Sequence, residues 1–159
     1  MLGEVTCHTL FALASTGAFS FEIGILQPYQ APNKLVSFLN ECLGMSLADE
    51  DYLTGAQARS SISNLCSKGD VVLVKSADGS RLEAGEVLFH FSAKGEPGTM
   101  VNLWSLINFD PSHYLAEWSV VNARSQLIGT NEIVATVMWT KLRESVRTIV
   151  PVELHLYFS

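Results

Sequence analysis

Strict two-residue alternation dominates the end of the chain. Thr148, Val150, Val152, Leu154, Leu156 and Phe158 share one face, and Arg147, Ile149, Pro151, Glu153, His155 and Tyr157 share the other. Side chains on a strand point alternately to its two faces, so this period predicts a half-buried strand over 146–158. Pro151 within it points to an edge position or a bulge. The same period marks Phe19, Phe21, Ile23 and Ile25 against Ser20, Glu22 and Gly24. An earlier run, Val5 to Leu13, carries Val5, Cys7, Phe11 and Leu13 on one face. Ser15 to Ala18 joins the two runs into an N-terminal hairpin.

The period then changes. Leu35, Phe38, Leu39, Cys42 and Leu43 recur at helical spacing, after Pro32 and before Gly44. Pro in the first turn and Gly just past the end are the usual helix boundaries. Ser46 with Asp49 forms a capping-box pattern, and Thr54 with Gln57 repeats it. The second box opens an expected second helix with the stripe Ala58, Ile62, Leu65 and Cys66, closed by Gly69. From Asp70 onward the chain reads as strands: 71–75, a turn at Asp78-Gly79, a strand around Val87, Phe89 and Phe91, a break at 94–98, then 100–108, 114–122, 127–140 and 146–158.

The order is two strands, two helices and six strands, with no repeat and no linker, over one domain of residues 1–159. Strands joined by short turns give antiparallel sheets. The expected fold is therefore α+β and β-rich: an antiparallel β-sandwich or barrel of about eight strands, with two helices inserted after the N-terminal hairpin. In element order this resembles the eight-stranded jelly roll of viral coat proteins, which implies a self-associating shell subunit. Helices followed by a curved antiparallel sheet are also similar to the cone-shaped NTF2-like domains, which implies a pocket for a small apolar molecule. The stretch from Leu35 to Phe91 resembles a winged helix, with 53–69 in the place of a recognition helix and Arg59, Lys68, Lys75 and Arg81 near phosphates.

Composition narrows these options. The chain has 159 residues, 48% hydrophobic and only 16% charged, with a formal net charge of −6. Soluble domains carry about 25% charged residues, so either the core is large or part of the surface is apolar and covered by a partner. The acidic balance weighs against nucleic acid, because Asp49, Glu50, Asp51, Asp70, Asp78, Glu83 and Glu86 surround the four basic residues of the winged-helix reading. The first basic residue is Lys34. A basic arm, the positive start of a secretory signal and the arginines of a transit peptide are all missing before it. The uncharged run from Val5 to Phe21 is broken by polar residues and is shorter than the roughly 20 apolar residues of a spanning helix. Cys7, Cys42 and Cys66 are odd in number, form no CxxC pair and fit reduced core positions. The expected setting is intracellular, with no membrane span.

Candidate chemistry is sparse. Asp110-Pro-Ser-His113 holds triad residue types, but as sequence neighbours they form a turn rather than a triad, whose members converge from separate elements. Glu153, His155 and Tyr157 share a strand face and are the candidates for acid–base work inside a pocket. His90, opposite Phe89 and Phe91, is expected to face solvent or to be hydrogen-bonded. His8, His90, His113 and His155 lack metal-site spacing, and no phosphate-cradling glycine motif occurs, so neither a metal nor a cofactor is expected. Trp104, Trp118, Trp139 and Tyr114 are the candidate interface aromatics, since Trp and Tyr are enriched where proteins meet. The reading is a non-enzymatic structural or interaction subunit that self-associates, or binds another protein, through an apolar β surface.

Overall fold

The structure is a computed structural model, and it describes residues 22–61, 64–112 and 115–149. Within them the chain is β-rich and antiparallel, with twelve strands and one α-helix. The strands are β1 (Gly24–Leu26), β2 (Tyr29–Gln30), β3 (Tyr52–Gly55), β4 (Gln57–Ser61), β5 (Asn64–Ser67), β6 (Val71–Lys75), β7 (Leu82–Ala93), β8 (Glu96–Asp110), β9 (Leu115–Gly129), β10 (Ile133–Thr136), β11 (Trp139–Arg143) and β12 (Val146–Ile149). The large sheet runs β10-β6-β7-β8-β9-β12-β11, with β3 on the far end of β7 and β2 on β3. A small sheet, β1-β4-β5, is not strand-paired with it among the described residues but packs against it through Cys66.

Helix α1 (Asn33–Leu43) lies where its stripe predicts, with Pro32 before it and Gly44 closing it at φ 64°. Its packed face is centred on Val36 and Leu39, while Phe38 and Cys42 are exposed. The expected inward Cys42 is therefore corrected, and the buried stripe is rotated toward Leu35, Val36, Leu39 and Leu43.

The second helix does not form. Tyr52–Gly55, Gln57–Ser61 and Asn64–Ser67 are β3, β4 and β5, and Ile62 of the expected stripe lies outside the described residues. Thr54, expected to cap that helix, donates its hydroxyl to the His90 carbonyl (2.6 Å) across the sheet. Ala58, Ser60 and Cys66 are the buried positions of β4 and β5. The recognition helix of the winged-helix resemblance is removed with it. Arg81 and Arg124 instead meet Glu83 (3.5 and 3.0 Å). The first capping box fails too: Asp49–Asp51 is one 3₁₀ turn with no side-chain cap.

Strand β6 shows why this sheet tolerates so little charge. Val71 and Leu73 enter one apolar cluster with Leu82, Ala84, Trp104, Ala116, Trp118 and Ile149. Val72 and Val74, pointing the other way, enter a second with Cys66, Val87, Val101, Leu103, Ile128 and Ile133. Both faces of the central strands are covered, so they read as continuous apolar runs rather than alternating ones. Trp104 of β8 and Trp139 of β11 stand three strands apart along the large sheet, yet their ring centroids are 6.3 Å apart, so the sheet curls on itself. Irregular register between Leu103 and Ser105 and again between Leu106 and Asn108 supplies the bending, opposite Asn122 at φ 60° in β9.

Two tight turns set the register. Ser76 to Arg81 turns on Asp78, whose carboxylate accepts from Ser76 and Ser80. Lys94 and Gly95 both have positive φ (51° and 84°), the requirement of a two-residue hairpin loop with primed geometry. That turn pairs Ala93 with Glu96 and, three steps back, His90 with Thr99. The expected strand over 127–140 is divided between the end of β9, a 3₁₀ turn at Thr130–Glu132, β10 and the start of β11. Of the N-terminal hairpin only Glu22–Ile25 lies within the described residues, where the strand is Gly24–Leu26, and of the expected 146–158 strand only Val146–Ile149.

Candidate functional site

Three features stand out: a sealed polar cluster, an open apolar cleft and an apolar end of the large sheet.

The polar cluster begins with an irregularity in β7. Register shifts between Val87 and Phe89, so the alternation changes phase there. Phe89 and Phe91 then pack under α1, and His90 turns to the side of Val87 and Cys66. His90 is fully buried and hydrogen-bonded. Its Nε2 lies 3.2 Å from the Cys66 carbonyl and its Nδ1 2.9 Å from Thr99 Oγ1, which lies 3.0 Å from Thr130 Oγ1. A carbonyl only accepts, so Nε2 carries the proton and Nδ1 accepts from Thr99. The ring is neutral in this arrangement. Burial holds its pKa below the ordinary 6.5, against the smaller opposing pulls of the Cys66 carbonyl and the Asp70 charge.

Cys66 Sγ is 3.8 Å from His90 Nε2 and from the Ala58 carbonyl. This Cys–His pair has the composition of a nucleophile and base but not the chemistry. Burial, with the Asp70 charge adding, pushes the thiol up to about 12, so it stays protonated at neutral pH. Cys66, His90, Thr99 and Thr130 are all sealed from solvent, leaving no surface for a substrate to approach. The cluster satisfies buried polar groups and fixes how β5, β7 and β8 meet.

The cleft lies between the segment after α1 and the start of the β8–β9 pair. It has a volume of about 760 Å³, with Met45, Leu47, Phe91, Pro97, Leu127 and Ile128 among its walls. Asn40 builds its lip. The Asn40 side chain accepts from Leu47 N (3.0 Å) and from the Tyr52 hydroxyl (2.6 Å), and donates to the Leu47 carbonyl (3.2 Å). Gly98 builds its floor, because a Cβ there would sit 2.3 Å from Phe91 Cζ.

The sheet end carries the exposed large apolar residues of β8, β9 and β11, and Met138 just before β11. Leu106, Ile107, Val121, Met138, Trp139 and Leu142 are each about half or more exposed, and Met138 reaches 82%. Strand β11 is exposed along its whole length and pairs with β12 alone among the described residues. Trp139 stands at the mouth of the curled sheet, edge-on to Trp104 (6.3 Å between centroids) and beneath the Arg147 guanidinium (5.5 Å).

The sequence candidates are placed unevenly. Trp104 and Trp118 are covered by their own chain, and Trp139 keeps 46% of its surface. Tyr114, His113, Glu153, His155 and Tyr157 lie outside the described residues, as do Cys7 and His8. Sequence reasoning missed the Cys66–His90–Thr99–Thr130 cluster. The Lys94-Gly95 turn signal gives the His90–Thr99 pairing by counting back, but nothing local announces the phase change in β7. No group of three or more metal-ligating side chains occurs among the described residues, and no helix among them is long and apolar enough to cross a membrane.

Comparison with protein-family models, with curated proteins and with solved structures gives no match in any of the three. The functional reading therefore rests on the chain's own geometry.

Proposed function

We propose that this chain is a non-enzymatic subunit that associates with further copies of itself through the apolar end of its large sheet. The observation that carries this reading is the exposure of Met138, Trp139 and Leu142 on and beside an edge strand, with Leu106, Ile107 and Val121 exposed on β8 and β9 of the same sheet. Apolar surface left exposed marks an interaction site where it is contiguous. An edge strand adds a row of backbone donors and acceptors that a second strand can pair. Trp139 is the anchor: an aromatic side chain held in place by Trp104 and Arg147 while half of it remains open. In this reading the curled sheet and the small sheet are the layers of a sandwich, in the manner of shell subunits. Lys141 and Arg143 on the edge keep the pairing selective, since charged edge residues discourage indiscriminate strand addition.

Size-exclusion chromatography with light scattering tests this. The expected mass is a multiple of the chain mass, falling toward one chain in Trp139→Asp and in Leu142→Lys. A clean monomer across the accessible concentration range, or an oligomer that both substitutions leave intact, overturns the reading.

A further inference from the structure

The sealed polar cluster lies on a seam. Strand β5 is an edge of the small sheet, and among the described residues no strand pairing joins that sheet to the large one. Side chains make the ties instead. The Thr136 hydroxyl of β10 donates to the Leu65 carbonyl (3.2 Å), and Thr136 N donates to the Asn64 side-chain oxygen (3.1 Å). Both of these are exposed. The buried tie is His90 Nε2 to the Cys66 carbonyl (3.2 Å). Just past β5, Gly69 N donates to the Val87 carbonyl (2.8 Å) and Val87 N to the Asp70 carbonyl (2.9 Å), which pins the chain to β7 there. On its other side His90 meets Thr99 of β8, a strand held by ladders to both β7 and β9. Of the two strands that bond the ring, β5 is thus the one held without a ladder to the large sheet.

We propose that this seam opens in acid: the His90 ring takes up one proton, β5 swings away about the Gly69–Asp70 pin, and the Cys66 thiol meets water while β7, β8 and β9 stay paired. Nε2 already carries a proton, so the added one goes to Nδ1, which accepts from Thr99. Thr99 can turn its hydroxyl to Thr130 (3.0 Å), but a full charge then remains in a site closed to water. Among the described residues two titratable groups face the ring. The Cys66 thiol is uncharged at these pH values. The Asp70 carboxylate, which accepts from Ser67 N (2.8 Å), favours the imidazolium. The remaining neighbours, Gly55 of β3, Ala58 of β4, Thr99 and Thr130, do not titrate. Burial outweighs the pull of Asp70, so the pKa of the closed ring lies below 6.5 and that of the exposed ring returns to it. The closed seam is therefore favoured fully above pH 6.5 and loses ground as pH falls below it. No residue of the seam belongs to the self-association surface.

Thiol labelling of the full chain between about pH 7.5 and 5 tests the proposal, with a pyridyl disulfide that stays reactive in acid. Cys42 is exposed and serves as the internal standard. The ratio of Cys66 to Cys42 labelling should rise below pH 6.5 by up to about tenfold per pH unit, the slope of one proton. His90→Gln keeps a donor for the Cys66 carbonyl and has no titrating ring, so it should abolish the rise. Thr136→Val removes an exposed tie of β5 and should raise the ratio about fivefold at every pH, leaving the acid slope unchanged. Hydrogen exchange of the β7–β9 amides, corrected for its intrinsic pH dependence, should show no parallel rise. A ratio that stays flat in acid overturns the proposal, and so does a rise that His90→Gln leaves intact. A Thr136→Val ratio equal to that of the unaltered chain shows that β5 is not what moves, and a parallel rise in β7–β9 exchange shows that the whole fold opens; either result also overturns it.

Discussion

His90→Ala probes the sealed polar cluster most directly. The substitution removes a fully buried ring and two hydrogen bonds, to the Cys66 carbonyl and to Thr99. Large-to-small changes at packed sites cost about 2–4 kcal/mol through lost contacts and the cavity left behind. A buried carbonyl left without a donor costs about 1–3 kcal/mol, in place of the roughly 1 kcal/mol its bond contributed. These overlap, so the expected loss is about 3–5 kcal/mol, a large share of the 5–15 kcal/mol typical of a domain. His90→Gln keeps an amide donor for the Cys66 carbonyl and should lose about half as much by the same reasoning. Urea unfolding followed by tryptophan fluorescence reads both.

The pH arm has a definite sign. The folded ring is neutral, with its pKa lowered by burial, while the unfolded ring titrates near 6.5. The unfolded state therefore binds more protons as pH falls below 6.5. The His90 contribution is complete above that pH and is lost as pH drops toward the folded value, by at most about 1.4 kcal/mol per pH unit for one proton. His90→Gln should flatten that part of the profile, and the difference between the two profiles isolates this residue from the other histidines. A loss below about 1 kcal/mol in His90→Ala, or a profile that His90→Gln leaves unchanged, would refute the reasoning.

The remaining predictions concern the thiols and the turns. In the folded protein a maleimide should label exposed Cys42 readily, whereas Cys66, buried and with its thiol pushed up to about 12, should react only on unfolding. Peptide mapping separates the two sites. Gly98→Ala drives a Cβ into the Phe91 ring and should destabilise the fold by about 1–3 kcal/mol in the same urea assay. Gly95→Ala strains the second position of the β7–β8 turn, at φ 84°, and should cost about 1–2 kcal/mol.

The parts of this fold that the sequence made legible are those set by local chemistry. Helix α1 is bounded by Pro32 and Gly44, and β6 by its turn residues, so both lie where the pattern puts them. The misread helix over 54–69 shows the converse. In β4 the buried positions are Ala58 and Ser60, and Ser60 meets the Asn64 amide rather than solvent. A polar residue at a buried position hides the two-residue period, and the surviving apolar residues Ala58, Leu65 and Cys66 happen to sit at helical spacing. Local propensity then loses to pairing with β1 and to burial against the large sheet. Of the two expectations for His90, the hydrogen-bonded one holds and the solvent-facing one does not. Its sequence neighbours predict its face correctly relative to Phe91, but a phase change in β7 decides which face is the interior.

The low charge content has two physical sources, and they separate along the sheet. Around β6, β7 and the first half of β8 both faces are packed, so apolar residues there serve the core. Past the irregularities at Leu103 and Leu106 the sheet bends away, and Leu106, Ile107, Trp139 and Leu142 remain apolar although little of the described chain covers them. Packing among the described residues does not account for them. If nothing covers them, replacing them with polar residues should leave stability within about 0.5 kcal/mol, as at ordinary surface positions, and improve solubility. If a second copy covers them, the same replacements should lower the oligomer mass and make the apparent stability independent of protein concentration, because association stabilises only the folded state. Concentration-dependent unfolding of the unaltered chain, abolished by Trp139→Asp, is the expected result.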